Sequence, residues 1–142
     1  MLLPDVNILV YAFREDAPRH AEYKAWLHEQ LNGYEPIGLS DVALSGVLRI
    51  LTHPRIFVPP TPLSNALAFV SALRARRNCV IIAPAARHWE IFTALCISAA
   101  VKGNLVPDAY FAALAIEHGC EWITADRGFA RYPGLRWRHP LD

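Results

Sequence analysis

Short apolar segments alternate with longer helix-like segments along the chain, and this order limits the fold more than any other feature of the sequence. The apolar segments are residues 2–5, 36–39, 80–83 and 121–124, and each has a length typical of a buried strand. Proline or serine precedes several of the intervening segments and glycine follows several of them, as at the two ends of helices. Strands that alternate with helices predict an α/β fold with a parallel sheet covered on both faces.

The segments between the strands are predicted to be helices. Four of them cover residues 18–31, 40–52, 87–101 and 107–118. A fifth helix begins at residue 62 and ends between residues 74 and 78, and residues 7–13 are predicted to form a brief helical turn. Ser40 is a suitable N-cap for its helix. Ala21 is predicted to lie near one helix face with Trp26 and Leu27, and Val42 is one of the apolar residues of the helix that Ser40 begins. Residues 135–138 are a candidate last edge strand, which would make the sheet five strands wide.

The chain has the length of one domain, and residues 1–142 are interpreted as a single unit. Hydrophobic residues make up 54% of it and charged residues 19%, against about 45–50% and about 25% in ordinary globular domains. This apolar excess indicates a surface that a second subunit covers, so a homodimer is expected. Because the net charge is only +1, any contact with nucleic acid has to come from local basic clusters.

Cys79, Cys96 and Cys120 lie among apolar residues, where cysteine usually behaves as a small hydrophobic side chain. Their odd number and their spacing disfavour a disulfide framework or a zinc site and favour a reducing compartment. No uncharged run reaches the length of a membrane span, and the apolar N-terminus lacks the features of a secretory signal. The expected location is therefore the cytoplasm, with no membrane partner.

Three aspartates stand at junctions between predicted strands and helices. Asp5 ends the first strand, Asp108 lies at the start of a helix, and Asp126 follows the fourth strand. Ligands of parallel sheets gather beyond the carboxyl ends of the strands, where Asp5 and Asp126 fall. Three carboxylates brought together there would repel one another and lose hydration unless a divalent cation neutralised them. Oxygen ligands of this kind suit Mg²⁺ or Mn²⁺, so the sequence predicts a metal site.

Three short motifs around these aspartates resemble those of the PIN domain. They are Asp5-Val6-Asn7, Asn104-Leu105-Val106-Pro107-Asp108-Ala109 and Thr124-Ala125-Asp126-Arg127-Gly128-Phe129. The likeness covers essentially the whole chain, and within the family it looks like a VapC-type ribonuclease toxin. The resemblance implies a three-layer α/β/α sandwich and a Mg²⁺- or Mn²⁺-dependent endoribonuclease that cuts tRNA, rRNA or mRNA and is inhibited by a cognate VapB-type antitoxin. It also implies that the three aspartates are the catalytic metal ligands.

Two positions depart from the family's pattern. The family commonly places a glutamate on the second long helix, where this chain has Gly46, and often has an acid where this chain has Gly128. The site is therefore poor in acids, which leaves open whether it holds one metal ion or two. Asp41 is a candidate substitute that could reach the site only from the start of its helix. A glutamate at position 46 is expected to fit with little penalty, since replacing a helical glycine stabilises a helix by up to about 1 kcal/mol.

Other polar residues have candidate roles around the aspartates. Asn7 and Thr124 are expected to orient the carboxylates rather than to bind metal, although ordinary turn and strand hydrogen bonds would explain them equally well. Arg49, Arg127 and Arg131 are candidate contacts to RNA phosphates, because they neighbour the site in sequence or lie on its helices.

The favoured interpretation is metal-assisted hydrolysis of RNA, in which a water molecule attacks the phosphate in line. Two alternatives stay open at this level. A PIN-like protein could bind RNA or a partner protein with weak or lost catalysis, because Gly46 replaces an acid. A metal-dependent hydrolase could instead act on DNA or on a small phosphoester.

Overall fold

A computed structural model describes residues 1 to 142 and places a wholly parallel, five-stranded sheet at the centre of the molecule. The strands are β1 (Leu2–Pro4), β2 (Ile37–Leu39), β3 (Cys79–Ile81), β4 (Glu121–Ile123) and β5 (Trp137–Arg138). Their order across the sheet is β3-β2-β1-β4-β5, and every neighbouring pair is parallel. The predicted parallel sheet is thus confirmed, with β5 as the predicted edge strand.

Six α-helices and one 3-10 helix connect and cover the strands. They are α1 (Val6–Phe13), α2 (His20–Leu31), α3 (Asp41–Leu51), α4 (Leu63–Arg74), α5 (His88–Ser98), α6 (Leu105–Glu117) and the 3-10 helix Arg127–Arg131. The α/β/α sandwich is thereby confirmed. The longest helix has 13 residues, and none combines the length and the apolar character that crossing a bilayer requires.

The first helix is more complete than the sequence predicted. Residues 7–13 were expected to form only a brief turn, whereas α1 is a regular helix of 8 residues. Ile8, Leu9 and Val10 are buried in it, and tertiary packing stabilises a helix that is too short to be stable alone. Ser40 caps α3 as predicted, since its hydroxyl oxygen accepts a hydrogen bond from the N–H of Ala43 at 3.0 Å.

Successive residues of the central strands point to opposite faces of the sheet, which gives the molecule two apolar layers. On β1, Leu2 packs in the layer of α1 to α4, whereas Leu3 packs in the layer of α5 and α6. On β4, Ile123 and Trp122 divide in the same way, and Leu3 lies opposite Trp122 where the two strands pair. Burial on both faces explains why these strands are continuous apolar runs in the sequence.

Small side chains allow α6 to lie close to the sheet. Its completely buried alanines are Ala109, Ala112, Ala113 and Ala115. The helix begins at Leu105, two residues before the predicted start, so Pro107 falls in its first turn, where a missing N–H removes no helical hydrogen bond. This close packing holds the start of α6, and with it Asp108, beside the central strands.

Ala21 and Val42, two apolar residues of the predicted helices, are exposed. Ala21 faces solvent because α2 packs through Tyr23, Trp26 and Leu27, which are spaced three and four residues apart on one helix face. Val42 is 51% exposed, because α3 buries positions 43, 44, 47 and 51 instead. In both helices the buried stripe is rotated from the one that the apolar pattern suggested.

Candidate active site

Parallel pairing of β1 with β4 brings Asp5 and Asp126 to one edge of the sheet. Asp5 directly follows β1, and its N–H donates to the carbonyl of Ile123 at 2.8 Å. Asp126 lies shortly after β4, at the N-cap of the 3-10 helix. Because the carboxyl ends of parallel strands share one edge, two side chains from opposite ends of the chain reach the same place.

A threonine hydroxyl joins these two aspartates. Thr124 is completely buried, and its Oγ1 donates to Oδ2 of Asp5 at 2.7 Å and accepts from the N–H of Asp126 at 3.0 Å. Asn7 holds the backbone between the aspartates, since its Oδ1 accepts a long hydrogen bond from the N–H of Ala125 at 3.5 Å. The orienting roles of Thr124 and Asn7 stay predictions, but the hydrogen bonds on which such roles depend are present.

Asp126 uses one of its two carboxylate oxygens as a helix cap. Oδ1 accepts a hydrogen bond from the N–H of Gly128 at 2.8 Å and so begins the 3-10 helix. The side chain is exposed, and Oδ2 makes no hydrogen bond within the protein. Capping and metal binding are therefore compatible roles for this residue.

Asp108 reaches the same edge from the first turn of α6 and is half-buried. Burial raises the pKa of its carboxyl, the negative charge of Asp126 raises it further, and the Arg131 guanidinium lowers it. Tyr132 ties the start of α6 to the 3-10 helix, since its hydroxyl donates to the carbonyl of Leu105 at 3.1 Å. Burial and then the charge of Asp108 raise the pKa of Tyr132 to about 12, so this hydroxyl remains a neutral donor.

Asp5, Asp108 and Asp126 share one electrostatic environment, and we call them the aspartate cluster. Burial raises the pKa of Asp5 from an ordinary 3.8 to about 6. Hydrogen bonds from the Thr124 side chain and the Val6 backbone lower this pKa, whereas the charges of Asp108 and Asp126 raise it. The cost of ionising Asp5 is therefore mainly the cost of its burial, to which the charges of the other two aspartates add.

The donor set of the aspartate cluster suits a hard divalent cation, but the three side chains do not form a closed ligand cage. No group of three or more Asp, Glu, His or Cys side chains is arranged to hold a metal ion as it stands. Like charges favour separation, and a cation would remove that repulsion. Carboxylates are the usual protein ligands of Mg²⁺, which keeps several waters alongside one or two of them. The metal-binding role of the cluster stays a prediction that this chemistry supports.

Neither Asp41 nor position 46 adds a fourth acid to the aspartate cluster. Asp41 is exposed and pairs with Arg74 of α4, and its charge is not among those that act on the cluster. At Gly46, a Cβ would lie 3.2 Å from Cγ2 of Val6, because α3 crosses α1 closely there. This contact opposes the gain in helix propensity, and the expectation that a glutamate fits with little penalty stays a prediction.

Arg131 differs from the other two candidate phosphate contacts. Its Nε donates to the carbonyl of Gly128 at 2.8 Å, which folds the guanidinium over the 3-10 helix on the side of the aspartate cluster. Arg127 instead pairs with Asp142 through both terminal nitrogens, at 2.8 and 3.1 Å. Arg49 is exposed and makes no hydrogen bond or ion pair within the protein. The structure thus brings only one of the three arginines to the cluster.

Two features beside the aspartate cluster were missed in the sequence. One is the tie between Tyr132 and the start of α6, for which a buried tyrosine directly after the 3-10 helix is the only local signal. The other is an apolar groove of about 270 Å³, lined by Val42, Phe92, Val106, Pro107, Tyr110 and Phe111.

Sequence comparison relates the chain to characterised proteins over its full length. The family model described as PIN domain matches residues 2–135. Ribonuclease VapC43 of Mycobacterium tuberculosis H37Rv is 45% identical over 142 residues, which is 100% of this chain and 97% of that protein. Ribonuclease VapC25 of the same strain is 36% identical over 140 residues, which is 99% of each.

Solved structures share the fold at lower sequence identity. VapBC2 from Rickettsia felis, bound to a DNA fragment from its promoter, matches with a TM-score of 0.73 at 19% identity and covers 97% of both chains. VapC20 of Mycobacterium tuberculosis, a sarcin-ricin loop cleaving toxin, matches with a TM-score of 0.70 at 14% identity. The second match covers 96% of this chain and 99% of that one. These two matches support the arrangement of strands and helices.

The raised pKa of Asp5 predicts how the stability of the metal-free protein depends on pH. Since the folded protein holds this proton up to a pH of about 6, whereas the unfolded chain releases it near 3.8, folding is favoured at low pH. The contribution of Asp5 to the free energy of unfolding should fall by up to about 3 kcal/mol as pH rises through this window.

The measurement is chemical denaturation in EDTA at several pH values between 4 and 7, on the wild type and on Asp5→Asn. The two proteins should be close in stability near pH 4, and Asp5→Asn should be the more stable at pH 7. A stability difference that does not change with pH would show that Asp5 ionises without a penalty.

Proposed function

Because the chain belongs to the PIN-domain family, and within it to the VapC ribonucleases, we propose that the aspartate cluster is the site at which it cuts RNA. The protein is an endoribonuclease, a hydrolase of RNA phosphodiester bonds, and the toxin component of a type II toxin–antitoxin system. One observation carries the assignment of the site. A buried carboxylate, Asp5, accepts a hydrogen bond from Thr124 at the carboxyl edge of the sheet, and the charges of Asp108 and Asp126 raise its pKa.

The residues of the site have distinct tasks in this reaction. Mg²⁺ or Mn²⁺ held by Asp5 and Asp108, with Asp126 bound directly or through water, would polarise the phosphate and lower the pKa of a water molecule. Thr124 fixes the direction of the Asp5 carboxylate, and Tyr132 fixes the start of the helix that carries Asp108. In-line attack of water on phosphorus breaks the bond to O3′ and leaves a 5′-phosphate and a 3′-hydroxyl.

The two alternatives drawn from the sequence make different claims about this site. Lost catalysis would follow if a fourth acid at position 46 were indispensable. A Cβ at position 46 would lie 3.2 Å from Cγ2 of Val6, so the glycine lets α3 and α1 pack closely and its presence does not by itself indicate decay of the site. Hydrolysis of DNA or of a small phosphoester would use the same carboxylates, and therefore only a comparison of substrates separates it from cleavage of RNA.

Asp5→Asn and Asp108→Asn should each lower RNA cleavage by more than about 100-fold, because each removes one negative charge and one ligand from the metal-binding set. Both variants should stay folded, since they also relieve repulsion in the metal-free cluster. The assay follows cleavage of labelled RNA, with single-stranded DNA in parallel, in Mg²⁺ and in EDTA, beside a melting curve for each protein.

Asp41→Asn is the matched control, because it removes an exposed aspartate that pairs with Arg74 outside the cluster. It should keep nearly full cleavage. Full activity in Asp5→Asn or Asp108→Asn would refute the site, and loss of activity in Asp41→Asn would make Asp41 the missing acid. Equal cleavage of DNA and RNA by the wild type would favour the broader hydrolase.

A VapB-type antitoxin is the proposed partner, and RNA in the cytoplasm, whether tRNA, rRNA or mRNA, is the proposed target. VapBC-1 from nontypeable Haemophilus influenzae, with a TM-score of 0.71 at 14% identity, shares the fold over 99% of this chain and 98% of that one. Its VapBC complex supports the proposal that this chain, too, has an antitoxin.

Overproduction of the wild type in bacteria should arrest growth, and Asp108→Asn should not, because toxicity requires cleavage. Co-production of the proposed antitoxin, to be sought as a small reading frame directly upstream of the gene, should restore growth. Growth curves and plating after induction measure both effects. Toxicity that persists in Asp108→Asn would mean that the chain harms cells by another route.

The homodimer also remains a proposal, and uncovered apolar side chains support it. On α5, Trp89 is 69% and Ile97 is 81% exposed, and on the edge strand β3 Val80 and Ile81 are 44% and 41% exposed. Large apolar side chains exposed on one helix, such as Trp89 and Ile97 of α5, are typical of an interaction surface. We therefore place the subunit contact on α5.

Sedimentation of the wild type without antitoxin should show a dimer at micromolar concentration, because burial of α5 removes apolar surface from water. Trp89→Glu should shift it toward the monomer by placing a charge in the interface. Tyr34→Glu, at a fully exposed aromatic residue outside α5, should not. A wild type that stays monomeric would contradict the proposal.

A further inference from the structure

The guanidinium of Arg131 lies beside the aspartate cluster without being neutralised by it. Its Nε donates to the carbonyl of Gly128 at 2.8 Å, and its charge lowers the pKa of Asp108 across the gap between the 3-10 helix and α6. Neither terminal nitrogen donates to a protein acceptor, and Arg131 forms no ion pair. The side chain is exposed. It therefore presents two free amino groups to whatever binds at the cluster.

Gly128 provides the space that this arrangement needs. A Cβ at position 128 would lie 2.8 Å from Oδ1 of Asp126 and 3.0 Å from Nη2 of Arg131, so a side chain there would displace the Asp126 oxygen and push the Arg131 guanidinium by a few tenths of an ångström. The backbone of Gly128 is not left-handed, unlike that of Gly103, Gly119 and Gly134. Space, and not backbone conformation, is thus what the glycine supplies.

The charges at the site indicate what the free guanidinium would bind. Three ionised aspartates and one divalent cation leave a net charge of −1, and a phosphodiester brings a further negative charge. An approaching RNA strand is therefore repelled unless a fixed cation lies nearby. A guanidinium with two free amino groups matches two oxygens of one phosphate.

The other arginines near the site are less suited to this task. Arg127 has its terminal nitrogens occupied by Asp142, and an ion pair would have to break before it could bind phosphate. Arg49 extends from α3 with nothing to fix its direction. Only Arg131 combines a fixed position with unused donors.

We propose that Arg131 binds the phosphate that is cut, or the one next to it, and that Gly128 leaves the space which its guanidinium occupies. The inference rests on the proposed function, because it takes the aspartate cluster as the place of cleavage. In this acid-poor site, one arginine supplies positive charge that further metal ions would otherwise have to supply.

RNA binding without cleavage tests the role of Arg131. A fluorescently labelled single-stranded RNA of mixed sequence is titrated in EDTA at several salt concentrations, and melting temperatures are measured alongside. Arg131→Ala should weaken binding by about 3- to 10-fold at low salt and reduce the slope of log affinity against log salt by about 0.7, because one phosphate contact is lost. Arg131→Lys should keep the slope and show intermediate affinity, since lysine retains the positive charge but lacks the planar guanidinium that contacts two phosphate oxygens.

The matched control is Arg77→Ala. Arg77 is exposed and lies between α4 and β3, the outer strand on the other side of the sheet from β4 and β5. The substitution should leave both the affinity and the salt slope unchanged. The inference would be overturned if Arg131→Ala bound RNA with unaltered affinity and salt slope. A lower melting temperature would not rescue it, because Arg131 would then only stabilise the fold.

A double-mutant cycle tests the role of Gly128. Gly128→Ala should weaken RNA binding more in the wild-type background than in the Arg131→Ala background, because only the part of its effect that acts through Asp126 remains when the guanidinium is absent. Equal losses in both backgrounds would overturn the assignment of Gly128.

Cleavage of RNA by the wild type in Mg²⁺ distinguishes failure of the role proposed for Arg131 from failure of the proposed function. A wild type that cuts RNA while Arg131→Ala binds normally refutes this inference alone, and one that does not cut RNA refutes the proposed function with it.

Discussion

The hydrogen bond from Thr124 to Asp5 is the interaction on which the rest of the site depends. It joins the ends of β1 and β4, and the same hydroxyl accepts the N–H of Asp126. A buried carboxylate without such a partner would be costly, since its ionised form loses hydration. The pairing of β1 with β4 therefore does more than complete the sheet, because it sets the position and the ionisation of the first aspartate.

The helices around this edge complete the arrangement by packing. Buried alanines let α6 lie against the sheet, and the Tyr132 hydroxyl fixes its first turn to the 3-10 helix. Asp108 is thus held by contacts that involve no other acid. Because these supports lie outside the aspartate cluster, the cluster can keep its position while its carboxylates repel one another.

The aspartate cluster has few acids, and the nearby Arg131 guanidinium adds a positive charge to it. Gly46 serves the contact between α3 and α1, and Gly128 makes room for the Arg131 guanidinium. Both glycines stand at positions where an acid was expected, and at each of them a Cβ would lie within 3.2 Å of a neighbouring side chain. The resulting site offers three carboxylates and one nearby cation, an arrangement suited to a negatively charged polymer.

The sequence by itself determined the order of strands and helices, the parallel sheet and the convergence of Asp5 with Asp126, because periodicity and strand ends are local properties. Tertiary structure alone decided that Asp41 pairs with Arg74, that Val42 faces a groove and that Arg131, and not Arg127, turns toward the aspartate cluster. Those outcomes depend on the rotation of each helix about its axis and on contacts between distant segments. A side chain's partner is set by that packing, which local sequence patterns do not specify.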